Sequence, residues 1–129
     1  MRVLSTAAAS LLIAVFVVPA LAAGPLDGRW AYDAEICANE PGSGDLVPTV
    51  IHDGKIDYYE SHCEILEINH IGAQGSAWRV RSTCSGEGEV WTGESIFAID
   101  HGNNERRRQL TEIDLADGIV MVSQACDGP

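Results

Sequence analysis

The stretch CEILEINHIGAQGSAWRVRSTC, residues 63 to 84, decides how this chain folds. A first run opens on Cys63 and ends at Asn69. A second, Ala77-Trp78-Arg79-Val80-Arg81-Ser82-Thr83-Cys84, closes on Cys84, and the connection His70–Ser76 between them is rich in turn formers. Folding the stretch about Ala73/Gln74 sets the two cysteines opposite each other on antiparallel strands. Non-hydrogen-bonded neighbours in such a pair have Cα atoms about 4.5 Å apart, the short end of the disulfide range. In the second run Trp78, Val80 and Cys84 share one face and Arg79, Arg81 and Thr83 the other, the period-two alternation of a half-buried strand. Ile65-Leu66 breaks that alternation and predicts a bulge or burial on both faces.

Working outward, the same kind of run recurs at short intervals. Arg29–Ala34, Leu46–His52, Lys55–Ser61, Cys63–Asn69, Ala77–Cys84, Glu89–Asp100, Arg106–Asp114 and Ile119–Ala125 read as eight strands. Trp91, Phe97 and Ile99 fall on one face of the sixth, opposite Thr92 and Glu94. Asp53-Gly54 and Asp117-Gly118 tolerate positive φ, as short hairpins require. Gly86 and Gly88 flank Glu87 at another bend, Gly102-Asn103-Asn104 marks a fourth, and Glu40–Asp45 is a loop. A short helical turn is expected around Asp33–Ala38, and no other run after the leader keeps helical spacing. The expected fold is all-β: a small antiparallel up-and-down barrel or sandwich of about eight strands with two disulfides. Closure into a barrel would remove the exposed strand edges.

The first twenty-two residues belong to a different logic. Arg2 precedes an apolar run, Leu11–Val18, and then Pro19-Ala20-Leu21-Ala22, whose small residues at 20 and 22 suit a signal peptidase. The run is shorter than the roughly 20 residues a membrane span needs. No cysteine follows it to carry a lipid, and no twin-arginine pair is present. Residues 1–22 are therefore expected to be a signal peptide and residues 23–129 a single β domain, periplasmic or secreted, with no membrane insertion of the mature chain. Losing Arg2 leaves seven Lys and Arg against nineteen acids, so the net charge goes from -11 to -12. Such a surface repels phosphate backbones, and nucleic acid is excluded as a partner.

An exported chain of this size calls for covalent bracing. Four cysteines permit three pairings. The hairpin register selects Cys63–Cys84 and leaves Cys37 and Cys126 to tie the first strand to the last. On the loop-entropy model the short bridge contributes about 3 kcal/mol and the long one roughly 4 to 5 kcal/mol. Zinc is the competing use, but no Cys-x-x-Cys pair is present.

Gly28-Arg29-Trp30 opens the first strand and resembles the Gly-x-Trp that begins lipocalins and other calycin-like barrels, small bacterial protease inhibitors among them. That resemblance implies a barrel whose closed end is plugged by Trp30. The wider order, Gly-x-Trp, Cys37, Cys63, Trp78, Cys84-Ser85-Gly86-Glu87-Gly88 and Cys126, also resembles short exported proteins of alphaproteobacteria, which implies a fold and a compartment but no activity.

Residues that could carry chemistry are weighed against simpler roles. His52, His62, His70 and His101 sit among acids, yet three border turns and no helical His pair occurs, so they read as solvated and no metal or cofactor is expected. Ser61 and His62 are adjacent and point to opposite faces, so they make no local catalytic pair. Glu87 and Glu89 would share one face, but a small barrel rim offers no cleft to set them across a glycosidic bond. Arg106-Arg107-Arg108 is the sole basic block: a solubilising edge or a docking patch for an acidic partner. No catalytic residue is assigned. The expected function is non-catalytic binding in the bacterial envelope, as an inhibitor or protein-interaction module. A carrier of a small apolar ligand is the alternative, and a small hydrolase the weaker one.

The exported protein should begin at Ala23 and carry no lipid. Intact mass spectrometry checks this; a species retaining Met1–Ala22 or a lipid would contradict the leader assignment.

Overall fold

In the computed structural model of the chain, which describes residues 24–127, Cys63 and Cys84 face each other across two antiparallel strands and are bonded, with Cα atoms 4.0 Å apart. The leader expected over residues 1–22 lies outside the described residues. Eight strands follow in order: β1 (Gly28–Ala31), β2 (Thr49–His52), β3 (Lys55–Asp57), β4 (His62–His70), β5 (Ala77–Gly86), β6 (Glu89–Asp100), β7 (Gln109–Asp114) and β8 (Val120–Ala125). Each pairs with the next and β8 returns to β1, so the sheet closes as an antiparallel barrel, not a sandwich.

The bulge falls where alternation fails. Ile65 pairs with Ser82 but Glu67 pairs with Arg81, leaving Leu66 as the extra residue of β4. Asp53-Gly54 and Glu87-Gly88 both take positive φ and make the two-residue turns of their hairpins. Several strands are shorter than their sequence runs, each for a local reason. β2 begins after Pro48, which has no amide to give a ladder. β3 stops where Tyr58 N–H donates to Ser61 O at 2.9 Å and turns the chain. β7 begins at Gln109 because Asn103 Oδ1 accepts from Glu105 and Arg106, holding Arg106–Arg108 in the preceding loop. Trp91, expected on the buried face with Phe97 and Ile99, is instead 43% exposed. β6 outruns β7, which pairs only with Ser95–Asp100, so Trp91 stands at the rim without a neighbour on that side.

The barrel core is filled by its own side chains. Leu26, Trp30, Ile51, Ile56, Val80, Phe97, Ile99, Leu110 and Ala125 form a single buried cluster with the Cys63–Cys84 bridge. Trp30 is 1% exposed within it, with Nε1 donating to Leu26 O at 3.1 Å. The guanidinium of Arg108 covers the indole at 5.2 Å and adds a cation–π contact. Gly28 is required by this packing: a Cβ there would stand 3.1 Å from Trp30 Nε1. The Gly-x-Trp pattern is thus a close approach of backbone to indole.

Closure is incomplete. β1 and β8 share only the pairs Trp30↔Ala125 and Ala31↔Gln124. After Ala31 the chain leaves the sheet, and Asp33 caps a 3-10 turn over Ala34–Ala38 by accepting from Glu35 N–H at 3.0 Å. Cys37, in that turn, is bonded to Cys126 just beyond β8, and Arg29 Nη2 donates to Cys37 O. The bridge draws the chain back over the outer face, so β1 cannot continue beside the upper half of β8.

Both disulfides are expected to stabilise the barrel by constraining its unfolded chain. Replacing Cys37 and Cys126 by Ser should cost roughly 4 to 5 kcal/mol, and replacing Cys63 and Cys84 about 3 kcal/mol. Denaturant titration of the two double variants checks the order; a larger loss from the hairpin bridge would contradict it.

Candidate functional site

Where β1 gives out, β8 keeps an unpaired edge. Ala125 N–H donates to Arg108 and Cys126 N–H to Arg29, so alternate residues of β8 address β7 and β1 in turn. By that alternation the amides and carbonyls of Val120 and Val122 point to the vacant side. Among the described residues neither finds a backbone partner there. The side chains are equally uncovered: Val120 is 58% exposed and Val122 49%, with Ile119 and Met121 also exposed.

A half-open apolar groove of about 290 Å³ continues the line of β1. Trp30 and Ala31 floor it, Met121 and Val122 form one wall, and Leu46 and Val47, on the approach to β2, form the other. Tyr32, 68% exposed, stands over its mouth. An apolar edge strand without charge, proline or cover is the arrangement that isolated soluble domains avoid. Chemically it offers main-chain donors and acceptors in a row beside a pocket for a side chain.

The barrel interior offers something different. Tyr58, just past β3, reaches across to β7 and donates to Glu112 Oε1 at 2.8 Å, and Ser95 Oγ donates to the same oxygen at 3.4 Å. Burial pushes the Glu112 carboxyl above the usual glutamate range; the charge of Asp114 adds to this, while Tyr58 and Ser95 restrain it. Burial, and then the charge of Glu112, push the Tyr58 phenol up, so it remains a donor. This pair joins the segment after β3 to β7 through the interior.

On the outer wall one carboxylate joins two histidines. Asp57 accepts from His52 Nε2 and His62 Nδ1, each at 2.9 Å, and Asp53 stands 3.4 Å from His52 Nδ1. These bonds, that to Asp57 first, raise the His52 pKa, and the two histidines hold Asp57 below its usual value. Asp57 and His62 border a hollow of about 350 Å³ also lined by Pro41 and Pro48, and both Asp57 oxygens are taken up by the two histidines. Among the described residues no group of three or more His, Cys, Asp or Glu is arranged to hold a metal ion. His70 contacts Gly75 O and the Trp78 ring, and His101 Nε2 lies 3.0 Å from Ser76 Oγ.

The arginine triplet is divided among three tasks. Arg106 pairs with Asp100 at 3.0 Å, Arg107 Nη1 donates to Ala125 O at 3.2 Å, and Arg108 pairs with Asp127 at 3.3 Å while covering Trp30. Each guanidinium already has an acceptor within the chain. Arg79 and Arg81, on the outer face of β5, are likewise paired with Glu94 and Glu67. Glu87 lies in the β5–β6 turn and Glu89 opens β6, both exposed. No family model matches the chain, and no curated protein or solved structure matches it.

Three groupings escaped the sequence reading: the seam, the Tyr58–Glu112 pair and the His52–Asp57–His62 group. The second had a signal. Leu110, Glu112 and Asp114 share one face of β7, so an inward glutamate followed from the inward leucine.

Glu112 gives a pH-dependence with a definite sign. Its native pKa is raised, so its contribution to stability is full below the ordinary value of 4.5 and is lost as pH rises through the native value. The stability difference between the protein and Glu112→Gln should therefore change across that window and flatten on either side. Parallel pH profiles from urea titrations would contradict the buried carboxyl.

Proposed function

We propose that the protein is a non-catalytic binding module of an oxidising, extracytoplasmic compartment, periplasmic or secreted, and that it engages another protein at the seam between β8 and β1. The single observation that carries this reading is the contiguous exposed apolar surface of Tyr32, Leu46 and Ile119–Val122 around an unpaired strand edge. Two disulfides and no free cysteine among the described residues suit an oxidising compartment. The Gly-x-Trp resemblance to calycin-like barrels, some of them protease inhibitors, points the same way. The carrier reading is less well supported. Small-molecule pockets run roughly from 300 to 1,000 Å³ and enclose most of their ligand. The seam groove, about 290 Å³ and half open, takes one or two side chains.

A photo-crosslinking residue placed at Val122 should give protein adducts in the exporting cell, and the same probe at Thr92, on β6 and outside the groove, should not. Adducts that form at the Arg106–Arg108 loop and not at Val122 would move the interface to the basic block and refute the seam.

A further inference from the structure

Resting on that reading, we infer that the seam takes an extended segment of the partner as a substitute for the missing upper half of β1, and that this segment is apolar with Lys or Arg on its flanks. The geometry supplies the first part. The groove lies on the continuation of β1, between the Val120–Ser123 edge on one side and Leu46 and Val47 on the other. The vacant hydrogen-bonding groups of Val120 and Val122 face into that line, two rungs beyond the last β1–β8 pair. A segment in strand conformation satisfies these groups, and every second side chain turns toward the groove over Trp30 and Met121. A helix or a compact loop would leave them unmatched.

Charge supplies the second part. Residues 31–50, which supply Tyr32, Ile36, Leu46 and Val47 to the groove, contain Asp33, Glu35, Glu40 and Asp45 and neither Lys nor Arg. Residues 109–125, which supply Met121, Val122 and Ser123 to the groove, contain Glu112, Asp114 and Asp117 and again neither Lys nor Arg. Every one of these acids except Glu112 and Asp114 is exposed. The cations near the groove are engaged within the chain: Arg29 and Arg107 are turned onto the carbonyls of Cys37 and Ala125, and Arg108, over Trp30, is paired with Asp127. The exposed carboxylates Asp33 and Asp45 thus directly adjoin the lining residues Tyr32 and Leu46, and neither segment brings a Lys or Arg. A second copy of this chain would bring the same acids against them, whereas a segment with basic flanks complements them.

The test uses the oxidised mature protein and three labelled peptides: an alternating Val/Thr segment flanked by paired lysines, the same segment flanked by glutamates, and the lysine version with a central proline. Fluorescence anisotropy should show the lysine peptide binding at least about tenfold tighter than the glutamate peptide, the yield of a few rim ion pairs. Added salt should narrow that gap, and the central proline should abolish binding. Val122→Pro removes an amide that faces the vacant side and none that serves β7, so it should abolish binding while the melting temperature stays close to that of the parent. Equal binding of the two charged peptides, indifference to either proline, or no binding of the lysine peptide would overturn the inference. So would self-association in sedimentation that Val122→Pro dissolves, since the occupant would then be a second copy. Adducts at Val122 in the cell together with failed peptides would sink only this inference; absence of those adducts sinks the binding reading itself.

Discussion

The bond between Cys37 and Cys126 governs the shape of the surface that matters here. A strand leaving Ala31 could have continued beside β8 for two or three more residues and closed the barrel along its full height. Instead the chain is drawn back over the outer face within six residues, and the Asp33 cap and the Arg29–Cys37 hydrogen bond fit the turn to that path. The covalent brace that strengthens a small domain is thus also what leaves its last strand half-paired. Open edges are a hazard in soluble proteins, and Ile119–Val122 carries none of the usual protections: no charge, no proline and no covering loop.

The interior is built on the opposite principle. In the core, Trp30 is held by Leu26 O, by the Arg108 guanidinium and by the close backbone of Gly28. Higher up, Tyr58 spans the bore to Glu112, so polar atoms there are satisfied by one another. Dense filling is what an eight-stranded barrel of this circumference favours. The exposed apolar surface therefore lies on the wall of the barrel, while its bore is filled by its own side chains.

Much of this was legible from residue types and spacing, because local rules dominate hairpins. The Cys63–Cys84 register followed from the turn and the alternation of β5, and the bulge from the doubled apolar pair Ile65-Leu66. Cys37–Cys126 then followed by elimination. What stayed hidden depends on where strands stop. Nothing in Arg29–Ala34 says that pairing ends at Ala31, since the cause lies in a bond to a residue far along the chain. The basic triplet drew attention as a lone charge block, but its partners Asp100, Asp127 and the Ala125 carbonyl come from loops and strand ends that no periodicity marks. Trp91 was misplaced for a related reason: alternation gives a face, and only the length of the neighbouring strand decides whether that face is covered.

Amide hydrogen exchange along β8 in the free, oxidised protein tests the central claim most directly. If the seam is open, protection alternates. Met121 and Ser123, whose amides address β7, exchange slowly, while Val120 and Val122 exchange at rates near those of an unstructured chain. Slow exchange at all four positions would show that the edge is already paired, and would contradict the account.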